Sequence, residues 1–353
     1  MSIPGRKHAD VEMSLPSVGI CIPTYNQAAF LRLSVASALC QTYRGPLEVW
    51  VGDDASTDDT DVVLGELTDG HANVHVVRNS ANVGIAENVN RLLRQPKTDL
   101  IVRLDSDDLL KPEYVERLGA LMAATPLAGY GHTQVEEIDE SGRVVRVRRL
   151  RRDTGLQEAE AALRASLSGY RTVANILMFR RSALEQLSYC DGRPEYVEDY
   201  DLAVRMADAG YGNIFVAETL ASYRVWADAA GLRARRKGLQ LDGYRRIFDE
   251  TFTPAWERRG WDRRQLARRR NRLAALHCAS CFAPQYAPQE RDELVALLLR
   301  LGSGVRVRIR ICLCRVGLTP VLRFWDGLPA AIKRVAKLLL AVARRFRDSI
   351  RHT

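Results

Sequence analysis

Leu100-Ile101-Val102-Arg103-Leu104-Asp105-Ser106-Asp107-Asp108 is an apolar run that stops abruptly in three acids out of four residues. The run reads as a buried strand, and the acids leave its carboxyl end. In open α/β sheets that end faces the ligand crevice. Crowded carboxylates repel one another and resist desolvation unless a cation neutralises them. Hard oxygen donors of this kind suit Mg²⁺ or Mn²⁺, which keep waters and bridge to substrate phosphates. The plain alternative is a solvated acidic turn that caps a helix starting near Lys111-Pro112-Glu113.

Working outward, short apolar runs alternate with helical periods. Val18-Gly19-Ile20-Cys21-Ile22 is strand-like and stops at Pro23, and residues 28–39 place Leu31, Val35, Ala38 and Leu39 on one helical face. Leu47-Glu48-Val49-Trp50-Val51 is a second strand that runs into Gly52-Asp53-Asp54. Ser56-Thr57-Asp58-Asp59 then caps a helix reaching about Leu67. Val74-His75-Val76-Val77 is a third strand, and Asn82-Val83-Gly84 turns into a helix reaching about Arg94. Strand–helix alternation with short connections predicts an α/β fold, a mostly parallel sheet with helices on both faces. Beyond the acids, residues 112–123 read as helix, 128–138 as extended, and Asp139-Glu140-Ser141-Gly142 as a turn. Basic residues 143–149 fit a solvated edge strand guarded by charge, or a contact for an anionic acceptor. Val173 to Phe179 is a further strand, and Glu198 to Ala209 a helix ending at Gly210.

Charge divides the 353 residues unevenly. Residues 1–230 carry 33 acids against 24 bases, whereas residues 231–353 carry 28 bases against 10 acids. This split suggests an acidic catalytic part followed by a basic, surface-seeking helical part. The expected organisation is a polar flexible leader at 1–16, an α/β domain at 17–230 and a basic α-helical region at 231–353. The terminal element, 330–350, spaces Ile332, Val335, Leu339, Val342, Phe346 and Ile350 helically opposite Arg334, Lys337, Arg344 and Arg345. Such a helix suits an anionic membrane interface; packing on the catalytic domain or on a second protomer in a homodimer is the alternative. With neither an export signal nor an uninterrupted apolar span, the expected location is cytoplasmic, peripheral at the inner face of the plasma membrane. Seven scattered cysteines fit a reducing compartment. Cys21 and Cys40 fall in elements expected to be buried. Cys278-x-x-Cys281 and Cys312-x-Cys314, beside His277, are read as core packing rather than zinc, because nothing between them follows a zinc-ribbon pattern.

Taken in order, the crevice-facing ends offer Pro23-Thr24-Tyr25-Asn26, Asp53-Asp54-Ala55-Ser56-Thr57-Asp58, Asn82-x-Gly84, Asp105-Ser106-Asp107-Asp108, and then Glu198-Asp199-Tyr200-Asp201 with Arg205. Over residues 17–226 this series resembles the family 2 glycosyltransferases, inverting enzymes of the GT-A fold. The resemblance implies transfer of a sugar from a nucleotide-diphosphate donor, assisted by Mg²⁺ or Mn²⁺, to a glycan or lipid-linked oligosaccharide of the cell envelope. Pro23, Thr24, Tyr25, Asn26, Asp53 and Asp54, with Asn82, Gly84 and Ser106, are then the nucleotide-sugar cradle, Tyr25 against the base and a carboxylate on the base edge or ribose. The family's D-x-D segment falls on Asp105 and Asp107: Asp107 is expected to ligate the metal, Asp105 to reach it through water or touch the ribose, and Asp108 to stand close behind. The family's ED pair implies Asp199 as general base, oriented by Glu198, while Asp201 and Arg205 are expected to be structural.

Two departures stand out. Relatives often carry His after a Tyr-Arg-hydrophobic sequence, and here Tyr223-Arg224-Val225 leads to Trp226; an Arg often precedes the equivalent of Asn90, and here Val89 does. Both bear on donor-phosphate contacts. No segment of the Q-x-x-R-W type found in processive relatives is present. A sugar-phosphate nucleotidylyltransferase would need a glycine-rich basic loop after the first strand, where this chain has Pro-Thr-Tyr-Asn. A nucleic-acid-binding protein would use the basic tail, against which stands the acidic N-terminal part; no nucleic-acid partner is expected.

Overall fold

The computed structural model describes residues 15–169, 172, 175–191, 197–226 and 235–327. The chain divides into two compact units, Met1–Ala234 and Arg235–Thr353. In the first, strands β1 (Val18–Thr24), β2 (Leu47–Asp53), β3 (Val74–Arg78) and β4 (Leu100–Arg103) run parallel in the order β3-β2-β1-β4. Helices α1 (Ala28–Leu39), α2 (Thr60–Gly70) and α3 (Ile85–Leu93) connect them. Every residue of β1 is buried because its two faces feed two cores. Val18, Ile20 and Ile22 pack with Leu31 and Val35 of α1, while Cys21 packs with Val89 and Leu92 of α3. This is the period of two expected when both faces of a sheet are covered.

The sheet continues as β9 (Leu177–Arg180), β6 (Ala128–Ile138), β10 (Gly212–Arg224) and β5 (Leu109–Leu110). β9 is antiparallel to both β4 and β6, and β10 is parallel to β6. The expected α/β sheet therefore turns mixed beyond β4. β7 (Val144–Arg148) pairs with β6 as an exposed strand, and β8 (Gly155–Gln157) pairs with β10. The turn into β7 falls at residues 139–142, where Gly142 takes φ +83°, a left-handed value that an L side chain rarely adopts. α4 (Tyr114–Ala124), α5 (Ala159–Ser166), α6 (Arg181–Gln186) and α7 (Glu198–Asp208) complete the unit.

Three sequence expectations change. β10 went unread: its apolar runs are broken at Ala217-Glu218-Thr219, where the ladder with β6 shifts register. β9 begins at Leu177, later than the expected Val173. Cys40 is exposed, not buried, because it lies one residue past the last turn of α1.

The second unit is helical in its described residues: α8 (Lys237–Arg246), a π-helical turn (Ile247–Phe252), α9 (Thr253–Arg258), α10 (Arg263–His277), α11 (Pro288–Leu301), α12 (Val305–Arg315) and α13 (Thr319–Gly327). Trp256 is its fully buried centre, with Phe252 at 5.7 Å and Trp261 at 4.7 Å between ring centroids. Cys278, Cys281 and Cys314 are buried and Cys312 is exposed. Among the described residues no helix is long and apolar enough to cross a membrane. The leader up to residue 14 and the amphipathic element at 330–350 lie outside the described residues.

Candidate active site

Strand register builds the crevice. β1 and β2 pair so that Thr24 lies beside Asp53, and β1 and β4 so that Cys21 lies beside Arg103. The residues after all three strands therefore emerge on one edge of the sheet. β5, just beyond the acids, pairs with β10 at Ser222 and Ala221, which draws Asp107 and Asp108 to Arg224 and Trp226.

On the nucleotide side the loops after β1 and β2 are laced together. Asn26, at φ +51°, donates its backbone N–H to Ser56 Oγ at 2.9 Å and accepts the Thr57 N–H at 2.7 Å. Tyr25 remains 45% exposed, with its ring open to a partner. Pro23 and Thr24 are buried at the strand end. Asp53 accepts the Ser56 N–H at 3.1 Å and faces Arg78 Nε at 3.4 Å. Asp54 is committed to the chain itself: it accepts from Asn79 Nδ2, the Val83 N–H and the Gly84 N–H, each at 2.9 Å. Its role in the structure is to shape the 79–84 loop. Gly84, at φ +86°, ends that loop at the start of α3, and Asn82 is exposed beside it, accepting the Gly84 N–H at 3.2 Å.

On the acidic side each carboxylate has one anchored oxygen. Asp105 Oδ1 accepts from Arg103 Nε at 3.1 Å, Asp107 Oδ2 from Trp226 Nε1 at 2.7 Å, and Asp108 Oδ1 from the Arg224 N–H at 2.8 Å. Arg224 also donates from Nε to the Asp107 carbonyl at 2.9 Å and from Nη1 to the Asp139 carbonyl at 2.7 Å. Its guanidinium lies 4.7 Å from the Phe30 ring, against which Trp226 packs edge-on at 5.0 Å. Burial and the Asp105 charge push the Asp107 carboxyl above its usual range. Burial and both neighbouring aspartates push Asp108 well above. Asp108 Oδ2 is buried with no hydrogen-bond partner, and Ser106 is buried in the same turn.

That orphaned oxygen, beside carboxyls that resist ionisation, fits a hard cation. Among the described residues no three His, Cys, Asp or Glu side chains form a complete metal cage. Asp107 and Asp108 are the residues that could hold Mg²⁺ or Mn²⁺, with donor phosphates and water completing the shell, the usual arrangement for Mg²⁺.

Arg103 joins this side to α7. Burial alone would depress its pKa, but the charges of Asp105, Glu198 and Asp199 hold it raised. The same neighbourhood acts on Asp199, whose carboxyl is pushed up to about 6 by burial first, then by Glu198 and Asp105, against Arg103 and the Tyr200 N–H. Asp199 accepts that N–H at 2.7 Å, and Glu198 is buried next to it. Asp201 pairs with Arg205 at 2.6 Å, and Arg205 donates to the Leu187 and Tyr189 carbonyls at 2.9 and 2.8 Å. Those two residues tie α7 to the preceding turn. Arg103 was not singled out as a site residue from the sequence, although a single cation inside Leu100-Ile101-Val102-Arg103-Leu104 was a signal. A charge in a buried strand is stable only beside opposite charge.

Comparison with known proteins now bears on this geometry. The model of "Glycosyl transferase family 2" matches residues 19–188. Residues 19–188 are therefore similar to a family 2 glycosyltransferase domain. It is 41% identical over 102 residues to a chondroitin synthase of Escherichia coli, covering 29% of this chain and 15% of that one. It is 30% identical over 217 residues to an N-acetylglucosaminyltransferase of Mesorhizobium japonicum, covering 59% and 51%. The chain thus spans about half or less of these relatives. A crystal structure of S. aureus TarS 1–349 in complex with UDP-GlcNAc superposes with TM-score 0.64 at 16% identity, covering 87% of this chain and 89% of that one. At that identity the likeness shows the GT-A-type fold, including a helical C-terminal region.

Proposed function

We propose that the chain is an inverting glycosyltransferase that moves a sugar from a nucleoside-diphosphate donor to a hydroxyl of a glycan or lipid-linked oligosaccharide. One observation carries the reading. Asp105, at the nucleotide-facing sheet edge, and Asp199, at the start of α7, act on the same buried Arg103. With Arg103 Nε 3.1 Å from Asp105, this supports reading a donor-facing carboxylate and a carboxylate suited to proton removal as parts of one site.

In this scheme Tyr25 stacks on the base, and the laced loops after β1 and β2 fix the nucleoside. Asp107 and Asp108 would hold a divalent cation, which when bound would supply charge neutralisation for the departing diphosphate. Asp199 takes the acceptor hydroxyl proton. The acceptor oxygen bonds to the anomeric carbon as its bond to the phosphate oxygen breaks, and the nucleoside diphosphate leaves from the opposite face. A carboxyl titrating at about 6 is ionised at neutral pH, yet is a stronger base than an ordinary aspartate. Glu198 raises that basicity by its charge, and Arg103 keeps it from rising further.

Because a similar fold binds UDP-GlcNAc and a relative is named for N-acetylglucosaminyl transfer, UDP-GlcNAc is the first donor to test. The acceptor is read as an envelope glycan on the inner membrane face, with the enzyme cytoplasmic and peripheral. Incubation with a panel of nucleotide sugars, Mn²⁺ and envelope-glycan acceptors, followed by NMR of the new linkage, tests the proposal. The expected product has the anomeric configuration opposite to that of the donor; retained configuration refutes the mechanism.

A further inference from the structure

We propose that the helical unit docks onto an anionic lipid bilayer through an arginine row on α10 and the apolar rim beside it. Arg264, Arg268 and Arg272 recur every four residues, so they stack along one face of α10 at a rise of about 6 Å each. Together with Arg306 they line an open groove of about 580 Å³ whose remaining walls, Ala267, Asn271, Gly304 and Val305, offer no acid. Like charges at this spacing destabilise a helix. Among the described residues none of the four guanidiniums is ion-paired.

Several arginines elsewhere in the unit are paired. Arg263 pairs with Glu257 at 2.9 Å and Arg245 with Asp242 at 2.8 Å. Arg270, on α10 itself, reaches Asp249 and the Arg300 carbonyl. These pairs show that acids of the unit reach some of its arginines, whereas among the described residues none reaches this row.

What lies next to the row identifies the partner. Val305 and Arg306 also line a second groove of about 650 Å³, whose other walls include Ile309, Val321 and Trp325. Around it Val305 is 75%, Phe324 72% and Val321 60% exposed. A soluble polyanion would satisfy the guanidiniums and leave this apolar rim in water. A bilayer with anionic headgroups answers both, phosphates to the arginines and acyl boundary to the rim. The chain's own final residues, 328–353, carry seven bases and one acid. They have the sign of the groove, so they reinforce attraction to a bilayer rather than neutralise the row.

The test uses the full chain and sedimentation with phosphatidylcholine vesicles, with and without phosphatidylglycerol. Wild type should bind the anionic vesicles, and binding should fall as salt rises. Arg264→Gln/Arg268→Gln/Arg272→Gln should weaken partitioning roughly 100-fold, from about fivefold per neutralised arginine. Val305→Ser/Phe324→Ser should retain the salt dependence with weaker overall binding. Unchanged thermal melts and transfer to a water-soluble acceptor would show both variants folded. Wild-type sedimentation by the triple variant overturns the proposal. So does binding of polyphosphate through these arginines without binding of anionic vesicles. If deleting 328–353 abolishes sedimentation while the Ser variant has no effect, that segment covers the rim and the proposal also fails.

Discussion

Asp199→Asn, followed across pH, separates a half-buried base from a carboxylate that merely begins a helix. Burial and Glu198 raise the Asp199 carboxyl from 3.8 to about 6. Because the folded value lies above the unfolded one, the native protein binds this proton more tightly than the unfolded chain. Stability from this group is fully present below about pH 4, declines through the interval, and is lost above about pH 6. A shift of about two units corresponds to about 3 kcal/mol. Asparagine cannot ionise, so the variant should match wild type near pH 4 and become up to about 3 kcal/mol more stable by pH 7. Urea unfolding at half-unit pH steps measures that difference. In parallel, wild-type kcat/KM should fall about tenfold per unit below pH 6 as the base is protonated. A stability difference independent of pH, together with a flat rate profile between pH 5 and 8, would refute the reading of Asp199 as a base with a raised pKa.

Other perturbations probe separate parts of the site. Asp54→Ala removes the acceptor for Asn79, Val83 and Gly84, and should cost about 2–4 kcal/mol in a thermal or urea melt; a change in donor KM at full stability would contradict a loop-shaping role. Arg103→Met leaves Asp105, Glu198 and Asp199 without their shared cation, so stability at pH 7 should fall by about 3–5 kcal/mol. Its loss should also move the acid limb of kcat/KM upward, since Arg103 lowers the Asp199 pKa. Trp226→His replaces an indole that holds Asp107 Oδ2 with a residue able to ligate metal, and Mn²⁺ affinity with bound nucleoside diphosphate should tighten roughly tenfold. Electron paramagnetic resonance of free Mn²⁺ reads that change, and unaltered affinity would place Trp226 away from the cation.

The nucleotide-facing half was legible because its signals are local. Strands β1 to β4 are short apolar runs, those of β1, β2 and β4 stopping at Pro, Gly or Asp, and a parallel sheet buried on both faces demands such runs. The acids after β4 also stood out, since nothing in a buried strand explains three carboxylates in four residues. What escaped depended on distant pairing. β10 is defined by its ladder with β6, including shifts that break its pattern. Asp54 and Asp53 looked alike in sequence, yet only the Asp54 carboxylate accepts the donors of the 79–84 loop. The part of Arg103 follows from α7 arriving beside β4 across some ninety residues of chain, a contact that periodicity does not encode. Trp226 was visible as a departure, whereas its hydrogen bond to Asp107 required coordinates.

The central claim is that donor holding and proton removal reside on different carboxylates of one hollow. Calorimetric titration of nucleoside diphosphate with Mn²⁺, run beside single-turnover transfer, tests it on Asp107→Ala and Asp199→Asn. The account predicts that Asp107→Ala loses metal-dependent binding, while Asp199→Asn binds like wild type and transfers about 10²–10⁴-fold more slowly. Equal loss of binding in the two variants, or wild-type transfer by Asp199→Asn, would contradict it.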